Sequence, residues 1–222
     1  MSRKAIALIT TAVVVLIAIA VAVAWFVPVF KVESIEINGA VRTDTEVARE
    51  VSGITAGDNL LRIDATGAAH AIAEMPWVAS VTLNRKLPST VDITLTEREA
   101  AVFIRRSDGD HIIDTEGQPI VIGTPPVGTI EVTGTREDDP EVLPAVIDII
   151  SAIDDHDPKL REVIATIEAP DQFDILLRLT DGREVYWGSS ENNHDKAVAL
   201  STVIQREGQR WNISSPSMVT VR

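Results

Sequence analysis

The chain has 222 residues, no cysteine and a formal net charge of -13, from 20 basic and 33 acidic side chains. The lack of thiols excludes a disulfide-stapled scaffold, an iron–sulfur cluster and a cysteine nucleophile. The acidic balance indicates that no nucleic acid is bound, because duplexes are bound largely through Lys and Arg contacts to phosphates.

The first feature along the chain is an apolar stretch over residues 5–27, which contains no charged side chain. A helix of this length, at about 1.5 Å per residue, spans roughly the 30 Å hydrocarbon core of a bilayer. Trp25 and Phe26 lie near its end, where aromatic side chains anchor a helix at the membrane interface. The pattern therefore predicts a transmembrane helix, with the lipid bilayer as a partner.

The orientation of this helix follows from the charges that precede it. Arg3 and Lys4 lie in a short tail, residues 1–4, so the positive-inside rule keeps that tail in the cytoplasm and exports the rest of the chain. The alternative is a cleavable signal peptide, since Ala22-Val23-Ala24 fits an A-x-A-like cleavage site. The apolar stretch is longer than the roughly 7 to 15 residues of the apolar region in a usual signal peptide, which favours the anchor.

Residues 29–98 have the pattern of strand, helix, helix, strand, strand. The first strand ends at the turn Asn38-Gly39, and the helices begin at two predicted caps, Thr43 with Glu46 three residues later, and Asp64. Apolar residues that alternate on both sides of a proline-containing turn then predict an antiparallel hairpin with one buried face. The expected buried positions of the hairpin are Val81, Leu83, Val91, Ile93 and Leu95.

This order of elements resembles the polypeptide-transport-associated (POTRA) fold, and the motifs resemble those of the FtsQ/DivIB family of cell-division proteins. They follow one another in the family's order, directly after a single N-terminal apolar span. The motifs are FKVESIEING (residues 30–39), GDNL (57–60) with Ile63-Asp64, MPWV (75–78), RKLPSTV (85–91) and Thr96-Glu97-Arg98. The resemblance implies a POTRA domain over residues 29–98.

Residues 99–222 have the pattern of a second, β-rich domain. The motif IIDTEG (residues 112–117) resembles the hairpin that opens the second domain of the same family. A further hairpin is predicted from Phe173–Leu179 to Glu184–Trp187, and a late helix over Asn193–Gln205. Another packed helix is predicted from the spacing of Val142, Val146, Ile149, Ile150 and Ile153. The fold class is α+β: a transmembrane helix, a POTRA domain, then a mixed β-rich domain with antiparallel sheet and packed helices.

The last strand, expected over Met218–Arg222, has nothing after it to cover it, so we expect it at a sheet edge. In the FtsQ family the terminal strand and the preceding helix bind FtsB, which is paired with FtsL. By this resemblance the FtsB-binding surface is placed on Ser214, Ser215, Met218, Val219, Thr220 and Val221. The alternative is that Val219 and Val221 point inward and complete the core, and the pattern leaves both open.

The resemblance also implies that the POTRA domain helps to bring the protein to the division site. Its candidate contacts lie in a loop and near a turn, at Gly57, Asp58, Asn59, Arg85 and Lys86. Turn formation is the alternative role for these residues.

Catalytic and metal-binding motifs receive little support from the sequence. There is no G-x-S-x-G elbow and no S-x-x-K pair. The segment Asp154–Pro158 lacks the central Gly and final Glu of a calcium loop, so a solvated loop at a helix end is predicted. The histidines, His70, His111, His156 and His194, fit no zinc-binding spacing. We expect no enzyme, no cofactor, no metal and no small-molecule substrate.

Together these features predict a non-catalytic scaffold that binds FtsB and FtsL outside the cell membrane and helps to regulate septal wall synthesis at the division septum. The alternative is a POTRA-bearing accessory of protein secretion or transport. Such proteins usually repeat the module, and no second copy follows Arg98. An adhesion or wall-binding module, the third possibility, would need clustered exposed aromatic residues, and the chain has 4 Trp, 4 Phe and 1 Tyr.

Overall fold

A computed structural model describes residues 10–19, 30–135 and 139–221. Residues 10–19 are helical and exposed. Among the described residues, no helix has both the length and the apolar character that a membrane crossing requires. The rest of the predicted span, residues 5–9 and 20–27, and the predicted tail, residues 1–4, lie outside the described residues.

The chain divides into two compact units, one up to Glu97 and the other from Arg98 onward. The described elements of the smaller unit follow the predicted order. They are β1 (Ser34–Asn38), α1 (Thr45–Val51), α2 (Ala65–Ala73), β2 (Val78–Lys86) and β3 (Thr90–Glu97). The strands form a three-stranded sheet in the order β1-β3-β2, in which the β2–β3 hairpin is antiparallel as predicted and β1 runs parallel to β3.

The predicted N-terminal cap is correct for one of the two helices and wrong for the other. Asp64 caps α2 as predicted, because its side chain accepts a hydrogen bond from Gly67 N–H at 2.9 Å. The predicted cap of α1, Thr43, is wrong by one residue. Asp44 directly precedes the helix, and its carboxylate accepts from the N–H groups of Glu46 and Val47 at 2.8 and 3.3 Å.

The core of the smaller unit lies between its sheet and its two helices. Its buried hydrophobic residues are Val32, Ala48, Ile54, Leu60, Ala68, Ile72, Val78, Val91, Ile93 and Leu95. The predicted positions on β3 are therefore buried, whereas Val81 and Leu83 of β2 are partly buried against this core. On α1 the buried residue is Ala48, and Val47 and Val51 remain 44% and 39% exposed.

Glu97, at the end of β3, holds the loop that precedes α1. Its Oε1 accepts hydrogen bonds from the backbone N–H groups of Val41, Arg42 and Thr43 at 2.9, 2.9 and 2.7 Å. Burial alone would raise the pKa of this carboxyl group, but these hydrogen bonds outweigh burial and the net pKa is lowered. The motif Thr96-Glu97-Arg98 therefore includes an anchor between parts of the chain that are far apart in sequence.

The larger unit is built on one mixed sheet. Its elements are β4 (Ala100–Arg106), β5 (Gly109–Asp114), β6 (Pro119–Ile122), β7 (Ile130–Thr133), α3 (Val142–His156), α4 (Lys159–Glu162), β8 (Ile164–Glu168), β9 (Ile175–Leu179), β10 (Glu184–Gly188), α5 (Asn193–Val203), β11 (Arg210–Asn212) and β12 (Thr220–Val221). Within the described residues the sheet has nine strands, in the order β12-β11-β10-β9-β8-β7-β4-β5-β6.

The two predicted hairpins, β5–β6 and β9–β10, are antiparallel as expected. The sheet also contains parallel pairs that the sequence did not predict: β4 with β7, β7 with β8, and β10 with β11. Parallel neighbours need a long crossover connection. The segment with α3 and α4 connects β7 to β8, and α5 connects β10 to β11, so the predicted packed helices lie in crossovers.

Helix α3 packs its apolar face into the core, as its spacing predicts. Val142, Val146, Ile149, Ile150 and Ile153 are all buried. The predicted solvated loop at residues 154–158 is partly wrong, because the helix continues to His156. Asp154 then pairs with Arg161 of α4 at 2.9 Å, instead of facing solvent alone.

The motif at residues 112–117 is built around a buried carboxylate. Asp114 is 4% exposed, and its Oδ1 accepts from the N–H groups of Glu116 and Gln118 at 2.9 and 2.8 Å. Its Oδ2 pairs with Arg98 at 3.2 Å. Gly117 follows with a φ of 77°, a left-handed conformation that favours glycine. The motif is thus an Asp-stabilised turn between β5 and β6.

Candidate interaction surface

Strand β12 lies at one edge of the nine-stranded sheet. It pairs antiparallel with β11, with Trp211 opposite Val221 and Asn212 opposite Thr220. The predicted strand over Met218–Arg222 was too long: a turn in which Met218 N–H donates to Ser215 O at 2.8 Å precedes it, and Arg222 lies outside the described residues. The expected edge position is confirmed.

All six residues predicted for this surface are exposed, namely Ser214, Ser215, Met218, Val219, Thr220 and Val221. Met218, Val219 and Val221 are exposed by 72%, 38% and 49%. The alternative in which Val219 and Val221 are buried in the core is therefore wrong. Exposed apolar side chains beside an uncovered strand edge are typical of an interaction surface.

A groove of about 760 Å³ separates the terminal segment from α5. The helix buries one face through Ala197, Leu200 and Val203, so its opposite face is available to the groove. That face contributes Val198, which is 41% exposed, and Thr202. The facing wall is formed by Ser214, Ser215, Pro216, Ser217 and Val219. Of the predicted residues, Ser214, Ser215 and Val219 thus share one surface with the preceding helix.

Two features that the sequence reasoning missed shape this edge. Gly208 has a φ of 152°, and a Cβ there would lie 2.5 Å from Val221 Cγ2 and 2.9 Å from the Trp211 ring. Only glycine leaves room for Val221 and Trp211 at this point. After β11, Asn212 Oδ1 accepts from Ser214 N–H and Oγ–H at 3.0 and 2.7 Å and turns the chain. Gly208, three residues before Trp211, was the signal in the sequence that could have indicated this close contact.

A ladder of alternating charges crosses the sheet toward this edge. Arg178 on β9 pairs with Glu168 on β8 at 2.7 Å and with Glu184 on β10, and Arg210 on β11 pairs with Glu184 at 2.9 Å. The hydrogen bond that Arg178 donates to the Glu168 carboxylate is the main cause that raises the pKa of Arg178. These residues, with Tyr186, Thr220 and Val221, line a second cavity of about 510 Å³. The edge therefore has polar groups on one side and the α5 groove beside it.

Lys196 is a further unpredicted feature of α5. Its side chain is buried, with 1% of the residue exposed, and Nζ donates to the carbonyl of Ser189 at 2.8 Å. Burial is the main cause that lowers the pKa of this ammonium group. Trp187 Nε1 donates to Asn193 Oδ1 at 3.0 Å close by. These contacts fix the start of α5 against the strand that precedes it.

The second predicted surface, in the smaller unit, is made largely of turn contacts. Asp58 Oδ2 accepts from Thr55 N–H at 2.8 Å, and Gly57 has a φ of 98°. Asn59 Oδ1 accepts from Leu61 N–H at 3.0 Å. The turn role that the sequence left open is therefore present.

The two basic residues of that surface have different partners. Arg85 donates to the carbonyl of Ile63 at 2.8 Å, which brings it close to the end of the 57–63 segment. Lys86 instead pairs with Asp92 at 3.0 Å, and the hydrogen bond with Asp92 is the main cause that raises its pKa. Adjacent residues of a strand point to opposite faces, so the structure does not bring Arg85 and Lys86 together on one face.

The histidines do not gather into a metal-binding cluster. His156 and His194 face each other edge to face, with ring centroids 6.3 Å apart, and His111 pairs with Asp108 at 3.0 Å. Across residues 10–19, 30–135 and 139–221, no group of three or more His, Asp or Glu side chains is arranged to hold a metal ion.

Comparison with known proteins gives the two units separate matches. Residues 30–98 match the family model of the FtsQ-type POTRA domain, and residues 102–219 match that of the C-terminal region of cell division protein FtsQ/DivIB. The chain is 65% identical over 222 residues to cell division protein FtsQ of Corynebacterium glutamicum, with 100% of both chains covered.

Two further relatives match at lower identity. The chain is 31% identical over 201 residues to cell division protein FtsQ of Mycobacteroides abscessus, covering 89% of this chain and 63% of the relative. With FtsQ of Mycolicibacterium smegmatis the identity is 28% over 200 residues, covering 89% and 59%. A solved structure of the major extracytoplasmic domain of DivIB from Geobacillus stearothermophilus aligns with a TM-score of 0.36 at 13% identity, covering 50% of this chain and 98% of that one.

The C-terminal family model alone spans residues 102–219, more than half of the chain, and the Corynebacterium glutamicum relative matches along the entire length. The chain belongs to the FtsQ/DivIB family of cell division proteins.

Proposed function

We propose that the protein is a non-catalytic scaffold of the bacterial division machinery that binds the FtsB/FtsL complex outside the cell membrane and helps to assemble and regulate septal wall synthesis. The observation that carries this proposal is the edge strand β12, which no other described strand covers, with exposed Met218 and Val219 just before it and exposed Val221 within it. It lies in the unit that matches the FtsQ/DivIB C-terminal model.

Strand addition is the proposed mechanism. A partner segment laid along β12 gains main-chain hydrogen bonds, which provide affinity and require no particular side chains. Specificity comes from side chains that alternate between the two faces of the added strand. One set meets the groove beside α5, where Val198 and Val219 supply apolar contacts, and the other meets the charge ladder that ends at Arg210.

The domain organisation and location belong to the same proposal. We assign residues 1–4 to a cytoplasmic tail, 5–27 to a transmembrane helix, 29–98 to the POTRA domain and 99–222 to the β-domain. The protein then has a single pass in the cell membrane, and the β-domain faces outward at the division septum. This placement is supported by the uncharged stretch over residues 5–27 and the two preceding cations.

A calorimetric titration of the full chain with the extracytoplasmic part of FtsB tests the binding step. Val221→Glu places a charge on the β12 edge, and we expect at least tenfold weaker binding. Ile122→Glu is the matched control at the opposite edge, on β6, because Ile122 is 50% exposed and Val221 is 49% exposed. The control should bind within twofold of the unchanged chain, and circular dichroism verifies the fold of both.

The outcomes separate the alternatives. Equal loss of affinity in both variants, or no loss in Val221→Glu, contradicts strand addition at β12. No binding by the unchanged chain contradicts the FtsB role as a whole and favours the secretion or transport accessory. A second variant, Val219→Glu, tests the groove side of the same edge without touching the Val221 contact with Gly208 and Trp211.

The POTRA unit is proposed to assist recruitment through Gly57, Asp58, Asn59, Arg85 and Lys86. Arg85→Glu reverses the charge next to the 57–63 segment, and we expect a lower fraction of a fluorescent fusion at the septum. Arg62→Glu, in the same segment, is a control for charge alone. Equal septal fractions in the Arg85→Glu fusion and the unchanged fusion would overturn this assignment.

A further inference from the structure

In the smaller unit, β1 is one of the two edge strands of the three-stranded sheet that the structure describes. Within the described part of the chain, β1 pairs with β3 alone. Just before β1, Val32 N–H donates to Asp58 O at 2.9 Å and Gly57 N–H donates to Val32 O at 2.8 Å. This backbone pairing ends at Val32, so residues 35–38 continue an edge that is already used for strand-like pairing.

A groove of about 560 Å³ is bounded by α1, by the segment 53–56 that follows it, and by residues 32, 33 and 35 at the start of β1. Its lining includes Val32 and Ile54, which are 1% and 5% exposed and belong to the core, together with Ile35 of β1. Val47 of α1 contributes to the wall and is 44% exposed. Covering this residue would remove apolar surface from water, a gain that the smaller unit does not obtain from its own core.

The rim of the groove is acidic. Glu33, Glu46 and Glu50 line it, against one cation, Arg49, which lies 3.9 Å from Glu46. Such a rim attracts basic segments and repels acidic ones. It disfavours a second copy of this chain, whose net charge is -13, and a membrane surface with anionic lipids.

We infer that the β1 groove, defined by the outer edge of β1 and the groove lined by Ile35, Val47 and Glu50, binds an extended segment of a partner protein with alternating apolar and basic residues. The backbone of the segment pairs with residues 35–38. Its apolar side chains cover Val47 and Ile35, and its basic side chains lie near the three glutamates. The protein then binds a partner segment at one edge strand of each unit, β1 and β12, and the inference for β1 does not depend on FtsB binding at β12.

The test uses the full chain and a fluorescein-labelled synthetic heptapeptide with the order Lys-Val-Lys-Val-Lys-Val-Lys. A peptide of the same composition with four lysines followed by three valines controls for charge. We expect fluorescence anisotropy to give at least fivefold tighter binding for the alternating peptide. Hydrogen–deuterium exchange should show protection at residues 35–38 when that peptide is bound.

Four variants locate the site. Val47→Asp should weaken binding at least tenfold, whereas Val51→Asp, on the same helix and 39% exposed, should stay within twofold because it lies outside the groove lining. Glu50→Lys should weaken binding about fivefold, and Glu74→Lys, exposed on the same unit, should stay within twofold. Circular dichroism verifies that all four are folded.

Three results would overturn the inference. Equal affinity for the two peptides would mean that only net charge attracts them. Equal effects of Val47→Asp and Val51→Asp would exclude the groove. Protection confined to the larger unit would place the peptide at another edge. The variant Val221→Glu, which alters β12, must leave binding at the β1 groove within twofold.

Discussion

The two units of this protein are stabilised by different kinds of contact. In the smaller unit the buried core residues, as far as the structure describes them, are aliphatic, and the loop before α1 is tied down by the carboxylate of Glu97. The core of the larger unit includes Trp187, Trp211 and buried residues from Val142 to Ile153 of α3. A small domain buries a smaller fraction of its surface, so each polar anchor carries a larger share of its stability.

The largest expected effect is in the larger unit. Trp187 is fully buried, and its replacement by Ala removes both the ring and the hydrogen bond to Asn193. We expect a loss of about 3–5 kcal/mol in the free energy of unfolding. Hydrogen exchange measured along a urea series should show early opening of β9–β11, with residues 34–97 unchanged. Opening of both units at the same urea concentration would contradict separate stabilisation.

The matching change in the smaller unit is Ile72→Ala, on the buried face of α2. Loss of a fully buried isoleucine costs about 2–5 kcal/mol. Because the core of this unit is smaller, we expect the smaller unit of Ile72→Ala to unfold at a lower urea concentration than the larger unit of Trp187→Ala. The comparison would be wrong if residues 34–97 kept their exchange protection in Ile72→Ala.

Glu97→Gln tests the polar anchor by itself. The amide keeps the shape but loses the charge that strengthens the bonds from residues 41–43, at a cost of about 1–2 kcal/mol at pH 7. The folded pKa of Glu97 lies below its ordinary value of 4.5, so its contribution is present above that pH and is lost as pH falls through the folded pKa. The difference between the two proteins in urea unfolding should shrink at acidic pH, and a constant difference would contradict the assignment.

Lys196→Met is expected to have the smallest effect, and one of opposite sign. A buried ammonium with a single carbonyl partner costs desolvation energy, and an apolar side chain of similar length avoids it, which adds about 1 kcal/mol to the stability of the larger unit. Burial lowers the folded pKa below 10.5, so the unfolded chain binds more protons between the two values and the unchanged protein gains stability as pH rises through that window. The advantage of the variant should therefore diminish at high pH in thermal unfolding. A destabilised variant would show that the Ser189 contact outweighs the cost of burial.

The sequence predicted local features of both units well. Turn residues, the Asp64 cap and alternating apolar residues in β3, β9 and β10 depend on neighbours within a few positions, and each is confirmed. The Thr43 cap failed by one residue because threonine and aspartate are adjacent and both favour that position. Strands β4, β7 and β8 were missed, because short apolar runs do not by themselves distinguish strand from helix. The turn signals beside them, Asp108-Gly109, Gly134 and Pro170, were not used.

Among the predicted binding residues, the sequence left open whether Val219 and Val221 are exposed or buried. The structure shows that both are exposed and does not test whether they bind a partner. Their alternation with polar residues was equally compatible with a core face. The decision depended on which strands lie beside β12, and the parallel pairing of β10 with β11 places it at the edge.

What the sequence by itself determined is which residues of each element are apolar, the approximate places of α1, α2, α3 and α5 and of the predicted hairpins, and the family to which the chain belongs. A pattern of period two fixes the face of a strand but carries no information about its neighbour. The tertiary structure alone decided the strand order, the burial of Lys196 and the contact of Glu97 with residues 41–43. These depend on groups that meet only when distant parts of the chain pack together.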